Sequence, residues 1–346
     1  MKQWEKTVKD SIITSEALKE TPGVDKKKID AVVKKYPMRI NGYYKGLIKK
    51  RGDAIWKQCM PDIQEINQRI GRKDPLLEKK YSPIDGLVHR YKDRVLLTVS
   101  DMCAVYCRFC TRKRHMGMEE EILKEKNIQK AFNYIKTHKS IRDVIISGGD
   151  PLMLDDLQVK YLLKNIRNIE HVEIIRIHSR TPCVLPQRIT PELCKMLSKY
   201  SPLYFNTHFN HFQEITKESR KACDLLADSG IVLGNQSVLL AGVNDDAKVL
   251  KELYERLLTM RVRPYYLYVP DAVKGTYHFR VSIAKACSIM KKLIGNTSGL
   301  AVPHLIIDLK GGGGKTPLLP KYIIKHEGRK YVFKNFEGNK YYYADI

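Results

Sequence analysis

The chain has 346 residues, 43% of them hydrophobic, enough for one large barrel or two ordinary domains around a sizeable core. No stretch is long and apolar enough to span a bilayer, and the opening MKQWEKTVKDSI lacks the apolar run of a signal peptide, so a cytoplasmic, reducing location is expected. The formal net charge of +24 suits anionic partners, but the lysines are scattered and no basic–aromatic recognition signature is present, so a solvated surface is expected, with neither a nucleic-acid nor a membrane partner.

In chain order, residues 1–75 read as polar and helical, with Pro22, Gly23, Pro37 and Gly42 as breaks. From about residue 94 apolar, β-rich runs take over: RVLLTVS (94–100), DVIISGGD (143–150), VEIIRIHSR (172–180), LYFNTHF (203–209), IVLGNQSVLL (231–240) and VRPYYLYVP (262–270). Between them lie segments such as 127–138, 156–169 and 247–260, whose apolar residues recur at three and four. Such alternation predicts an α/β fold, a parallel sheet covered by helices. Six units fit a partial (β/α)6-type barrel, with a doubly wound sheet as the alternative. Either way the site is expected at the C-terminal strand ends, where the cysteine loop, SGGD, HSR and THFN collect. The division expected is a helical region over 1–90, a barrel over 91–300, and a C-terminal lysine loop with a small β appendage over 301–346.

Eight cysteines in a reducing compartment read as ligands or buried thiols. Cys103, Cys107 and Cys110 are spaced C-x3-C-x2-C directly after a predicted strand. Thiolates this close can grip one face of a [4Fe–4S] cluster and leave one iron open to a small chelating molecule. A structural zinc completed by a distant residue such as His115 is the competing reading, and the βα context favours the cluster. Cys59, Cys183, Cys194, Cys223 and Cys287 show no ligand spacing and are expected in the core. The glycines of SGGDPL (147–152) allow close approach of backbone to a ligand, though Gly-Gly-Asp-Pro is also an ordinary turn.

DLKGGGGKTP (308–317) invites a phosphate-loop reading, which fails: Leu309 stands where the first glycine belongs, and Pro317 and Pro320 forbid the helix that must follow. Lys315 reads instead as an amine on a flexible loop, either able to form a Schiff base with pyridoxal phosphate (PLP) or merely solvated.

The cysteine spacing and the glycine motif resemble the radical S-adenosylmethionine (SAM) superfamily. Together with GGGGK preceded by an aspartate, they resemble the lysine 2,3-aminomutase family. The likeness runs through DRVLLTVSDMCAVYCRFCTRKR, THFNH, GNQSVLLAGVN, RVRPYYLYV, HFR and NFEG, from about residue 36 to 340. It implies a partial radical SAM barrel, and an isomerase that turns L-lysine into β-lysine with a [4Fe–4S] cluster, SAM and PLP. It also implies an electron donor such as flavodoxin or ferredoxin, and is compatible with a homo-oligomer. By motif, Cys103, Cys107 and Cys110 match the cluster ligands. Ser147, Gly148, Gly149, Asp150, His208 and Gln236 match SAM positions. Lys315 matches the PLP lysine, and Tyr91 and Arg94 match PLP-binding positions, a guanidinium suiting the phosphate. Arg112 matches the arginine for the substrate carboxylate, and Asp271 and Asp308 match the aspartates for its side-chain ammonium. Longer family members carry a cysteine-rich zinc-binding extension; here no cysteine follows Cys287, so zinc is not expected. Lys310 replaces the usual proline before the glycines, and a cation there threatens the Asp308 region unless it points away. Two alternatives keep the chemistry, one serving β-lysine modification of elongation factor P and one acting on another amino acid. A non-catalytic iron–sulfur RNA-binding protein, suggested only by the charge, is the alternative of another class.

Overall fold

The computed structural model describes residues 2–19, 21, 23–67, 70–117 and 125–346, so the expected break at Pro22 lies outside the described residues. Each of the six apolar runs forms a strand: β2 (Arg94–Thr98), β3 (Asp143–Ser147), β4 (Ile174–His178), β5 (Leu203–Thr207), β6 (Val232–Val238) and β7 (Val262–Tyr268), preceded by β1 (Leu87–Tyr91). A seventh parallel strand, β8 (His304–Leu309), continues the series. Neighbours in the sheet follow chain order from β1 to β9, parallel from β2 to β8. β1 turns back antiparallel on β2, and β9 (Gly314–Pro317) antiparallel on β8. These two edges do not pair with each other, so the sheet is an open, partial barrel.

One face of the strands is packed: Val144, Ile146, Ile175, Ile177, Leu203 and Phe205 are all buried, in one core with the helix residues Leu162 and Leu253, while the opposite face is only partly covered at Ile145 and Arg176. Helices Glu125–Thr137, Asp156–Arg167, Lys217–Asp228, Ala247–Leu258 and Ile283–Leu293 return the chain from one strand to a later one. Their periodicity decides which face is buried: Val159, Leu162, Leu163 and Ile166 on one, and Leu250, Leu253, Tyr254 and Leu257 on another. Each such side chain contributes about 1.5–3 kcal/mol relative to exposure. Asp155 and Gln158 close a reciprocal cap at one helix start, and Asp246 accepts from the backbone N–H groups of Lys248 and Val249 at another.

The sequence groups residues 301–346 together, whereas the sheet takes 304–317 into itself and leaves only β10 (Ile323–Glu327), β11 (Lys330–Lys334) and β12 (Lys340–Ala344) as a separate antiparallel sheet. The glycine run, expected to be a flexible loop, is the turn of the β8–β9 hairpin. Gly311, Gly312 and Gly314 take φ of 72°, 89° and 89°, a region closed to most side chains. Lys315 is therefore on strand β9, opposite Asp308, and not on a flexible loop. Among the described residues no helix is long and apolar enough to cross a membrane.

Candidate active site

A cavity of about 410 Å³ opens at the C-terminal ends of the strands, and every site residue singled out from the sequence lines it. The register sets its floor: Thr98 pairs with Ser147, His178 with Asn206, and Thr207 with Asn235, so the strand ends are level. A register shift between Asn235 and Gln236 leaves Tyr265 of β7 as an extra residue, so Tyr265 and Tyr266 both line the cavity, while β6 keeps its alternation with Asn235 buried and Gln236 on the cavity.

The cysteine loop is held from two sides. On one, the N-terminal region clamps it. Arg108 is buried and gives Nε and Nη2 to Glu65 (2.9 and 2.6 Å), Lys113 Nζ is 2.6 Å from the same carboxylate, and the backbone N–H of Arg108 donates to the Gln58 carbonyl (2.9 Å). Burial alone would raise Glu65, but the cations keep it below the usual carboxylate range. On the other side lies SGGD. The N–H of Asp150 donates to the Met102 carbonyl at 2.7 Å. A Cβ on Gly149 would stand 2.4 Å from that carbonyl oxygen and 2.9 Å from the Asp101 carbonyl carbon. Neither is a side chain able to step aside. Gly149→Ala is therefore expected to cost at least about 2 kcal/mol, read as a lower urea midpoint at unchanged slope; an unchanged midpoint would show that the two loops can separate freely.

The three cysteines, each half-buried, line the same cavity. Burial and then Asp150 push Cys103 up, and burial and then Cys107 push Cys110 up to about 11. Cys103 and Cys110 are thereby held in the neutral form unless a cation lies beside them. Among the described residues no three His, Cys, Asp or Glu side chains close on one point as a single ion would require. In a cubane each thiolate reaches a different iron, so the donor set fits a cluster better than one zinc.

Asp150 lines the cavity, but both its carboxylate oxygens are engaged. One carboxylate oxygen accepts from Ser179 Oγ (2.7 Å) and the Leu152 N–H (3.0 Å), and the other from the Arg180 N–H (2.8 Å). Burial still raises it against those bonds. His208 is pushed down to about 3, by burial first and then Arg180. Its Nε2 is buried without a hydrogen-bond partner, and its ring meets Phe109 edge-on at 5.7 Å. Tyr268 OH donates to Gln236 Oε1 at 3.5 Å.

Arg112 brings a partner that sequence reasoning missed. Its Nε and Nη2 grip Glu78 (3.0 and 2.7 Å) and its Nη1 donates to the Gly148 carbonyl (3.2 Å). Burial would raise Glu78, yet Arg112 and Arg114 overcome it and hold the carboxyl down to about 2. The guanidinium is thus taken along its Nε side, and N–H groups at its far end remain for another acceptor.

At the opposite end, Lys315 Nζ donates to Asp308 Oδ2 at 3.0 Å, and Arg90 Nη1 lies 3.5 Å from Asp308 Oδ1. The Lys315 N–H donates to Tyr91 OH (3.0 Å), and the Arg94 guanidinium lies 4.2 Å from the Tyr91 ring centre. Arg90 also escaped the sequence reading, and its Nη2 is buried and unpartnered. Asp271 has the opposite problem: burial, and next to it Asp308, push its carboxyl up to about 7. Lys310, the suspect cation, is exposed and absent from the cavity wall.

The arrangement joins three thiols, the Lys315 amine with Arg90 and Arg94 near it, and four carboxylates, Glu78, Asp150, Asp271 and Asp308, among six cationic side chains. Comparison with known proteins agrees with it. The family model described as the radical SAM superfamily matches residues 97–253, and the one described as lysine-2,3-aminomutase matches 290–345. The L-lysine 2,3-aminomutase of Fusobacterium nucleatum is 48% identical over 97% of this chain and 80% of that protein. That of Clostridium subterminale is 48% identical over 97% and 82%, and the glutamate 2,3-aminomutase of Clostridioides difficile is 42% identical over 91% and 75%. This chain belongs to the lysine 2,3-aminomutase family of radical SAM proteins.

Proposed function

We propose that this protein converts L-lysine to β-lysine by moving the amino group from C2 to C3, with a [4Fe–4S] cluster, SAM and PLP as cofactors. The cluster with SAM would supply radical hydrogen abstraction, and PLP would supply delocalisation of an unpaired electron. The chain's own residues hold and orient. Cys103, Cys107 and Cys110 would carry the cluster, with Ser147, Gly148, Gly149, His208 and Gln236 around the SAM beside it. Asp150 would act there by fixing the strand ends, since its oxygens are already engaged. Lys315 would hold PLP, with Tyr91 against it and the guanidinium groups of Arg90 and Arg94 toward its phosphate.

The free end of the Arg112 guanidinium would take the substrate carboxylate, leaving Glu78 where it is. The substrate's ammonium would enter between Asp271 and Asp308. One observation carries this reading: Asp271 faces the cavity with a carboxyl raised to about 7. An incoming ammonium relieves that crowding, whereas the second carboxylate of a glutamate worsens it. Lysine is favoured over glutamate on that ground, although a glutamate enzyme stands among the relatives. The protein would work in the cytoplasm and draw its electron from a flavodoxin or ferredoxin.

Two tests follow from these roles. Borohydride treatment of the PLP-loaded protein should fix the cofactor on Lys315, found by peptide mapping; an adduct on another lysine would displace the assignment. In the free enzyme Asp271 is protonated below about 7 and cannot pair with an ammonium. Hence kcat/KM for lysine should rise with pH through about 7, because that quantity reports groups of the free enzyme. The rise should be absent from Asp271→Asn, and its survival there would mean another group titrates.

A further inference from the structure

Cys107 differs from its two neighbours in what it touches. Arg180, two residues beyond the end of β4, reaches its Sγ with Nη1 at 2.6 Å. The rest of the guanidinium is spoken for. Nε donates to the His208 carbonyl (3.2 Å), and Nη2 meets Gln58 Oε1 (2.6 Å), Glu214 Oε1 (2.7 Å) and Tyr44 OH (3.1 Å). Its plane lies 5.3 Å from the centre of the Phe109 ring, and Phe109 is the residue before Cys110. Glu214 is wholly buried and also accepts from Tyr44 OH (2.6 Å) and the backbone N–H groups of Asn210 and His211 (2.6 and 2.9 Å). Gln58 is fixed in turn by Asn210 Nδ2 (2.9 Å). The anchoring of Arg180 is therefore complete without the sulfur. The sulfur contact is an addition, made by a cation that the surroundings hold in one place.

We propose that Arg180 tunes the reduction potential of the iron–sulfur cluster through its N–H contact with the Cys107 sulfur. The inference rests on the assignment of Cys107 as a cluster ligand. A donor on a ligand sulfur withdraws charge from it, so it stabilises the reduced cluster, which carries one more electron, over the oxidised one. The contact raises the potential and brings the cluster within reach of its donor. Arg180 touches no reacting atom and is a positioning and tuning residue.

The test is a redox titration followed by electron paramagnetic resonance on anaerobically reconstituted protein, without SAM, PLP or substrate. Arg180→Gln alone would strand Glu214 as an unpaired buried charge, so the decisive variant is Arg180→Gln/Glu214→Gln, which removes cation and anion together. A glutamine is uncharged and shorter, and ends the sulfur contact. At the parent's midpoint, the reduced-to-oxidised ratio of the double variant should fall about tenfold, a downward shift of about 59 mV for one electron. Arg180→Lys, which keeps a charge without the fork, should fall between. Iron content should stay at the parent's value in both. A double variant that holds its iron and titrates at the parent's midpoint would overturn the proposal. So would one that folds and loses its iron, because Arg180 would then support the loop only. A parent that assembles no cluster would instead sink the cofactor assignment.

Discussion

Cys107→Ala should yield a folded protein with no iron–sulfur cluster and no detectable product. Cys107 is half-buried at the cavity wall and its sulfur contacts Arg180, so losing it removes a ligand while leaving the core intact. If Cys103, Cys107 and Cys110 are the protein's cluster ligands, as proposed, the two thiolates left would not retain it. Iron and sulfide analysis and the visible absorbance of the anaerobic protein check this. A variant that keeps four irons would mean that Cys107 is not a ligand, and stoichiometric zinc in the parent would mean that the loop is structural. Folding is checked separately by the far-ultraviolet circular dichroism of the apoprotein.

The second large effect concerns substrate choice. A lysine whose carboxylate lies on Arg112 must place its ammonium elsewhere, and that cation is costly to bury unpaired. Asp271→Asn or Asp308→Asn should lower kcat/KM for lysine by about 2–4 kcal/mol, which is roughly 30- to 1,000-fold. Norleucine lacks the ammonium and should be poorer than lysine by roughly 10⁴-fold, since a site built around a polar group rejects analogues without it. Glutamate and alanine should also be refused. Asp271→Asn is the cleaner variant, because Asp308 holds Lys315 as well. Iron content and PLP loading of Asp271→Asn should match the parent. If both variants process lysine like the parent, the aspartates serve only the fold.

What could be read from the sequence was what is local in it. Cys103, Cys107 and Cys110 lie within eight residues, SGGD within four, and Lys315 follows its own glycine run, so short local motifs, together with the family they resemble, were enough to mark them. Their neighbours in space come from elsewhere in the chain. Glu78 and Arg112 are 34 residues apart, Arg180 and Cys107 are 73, and Arg180 and Gln58 are 122. No periodicity links such pairs; only the sheet brings them together. Arg90 carried a faint signal, lying beside Tyr91 in HRYKDR, and the β1–β2 hairpin turns it toward Asp308. The strands β2 to β7 were legible because each carries its buried positions within a short, mostly apolar run. β8 was hidden by the glycines that follow it, and its pairing with β9 set Lys315 opposite Asp308. The oxygens of Asp150 accept from Ser179, Leu152 and Arg180, contacts that a turn-like Gly-Gly-Asp-Pro does not announce.

The central claim is that one cavity holds a cluster, a PLP lysine and an ammonium-binding pair of carboxylates, and that it acts on lysine. The direct test gives the reduced, reconstituted protein SAM, PLP and an equimolar mixture of L-lysine and L-glutamate, and identifies the amino acids formed by mass spectrometry and chromatography. The account predicts β-lysine, with glutamate left unchanged. Formation of β-glutamate in preference to β-lysine, or turnover of neither by protein carrying its full cluster and PLP, would contradict it.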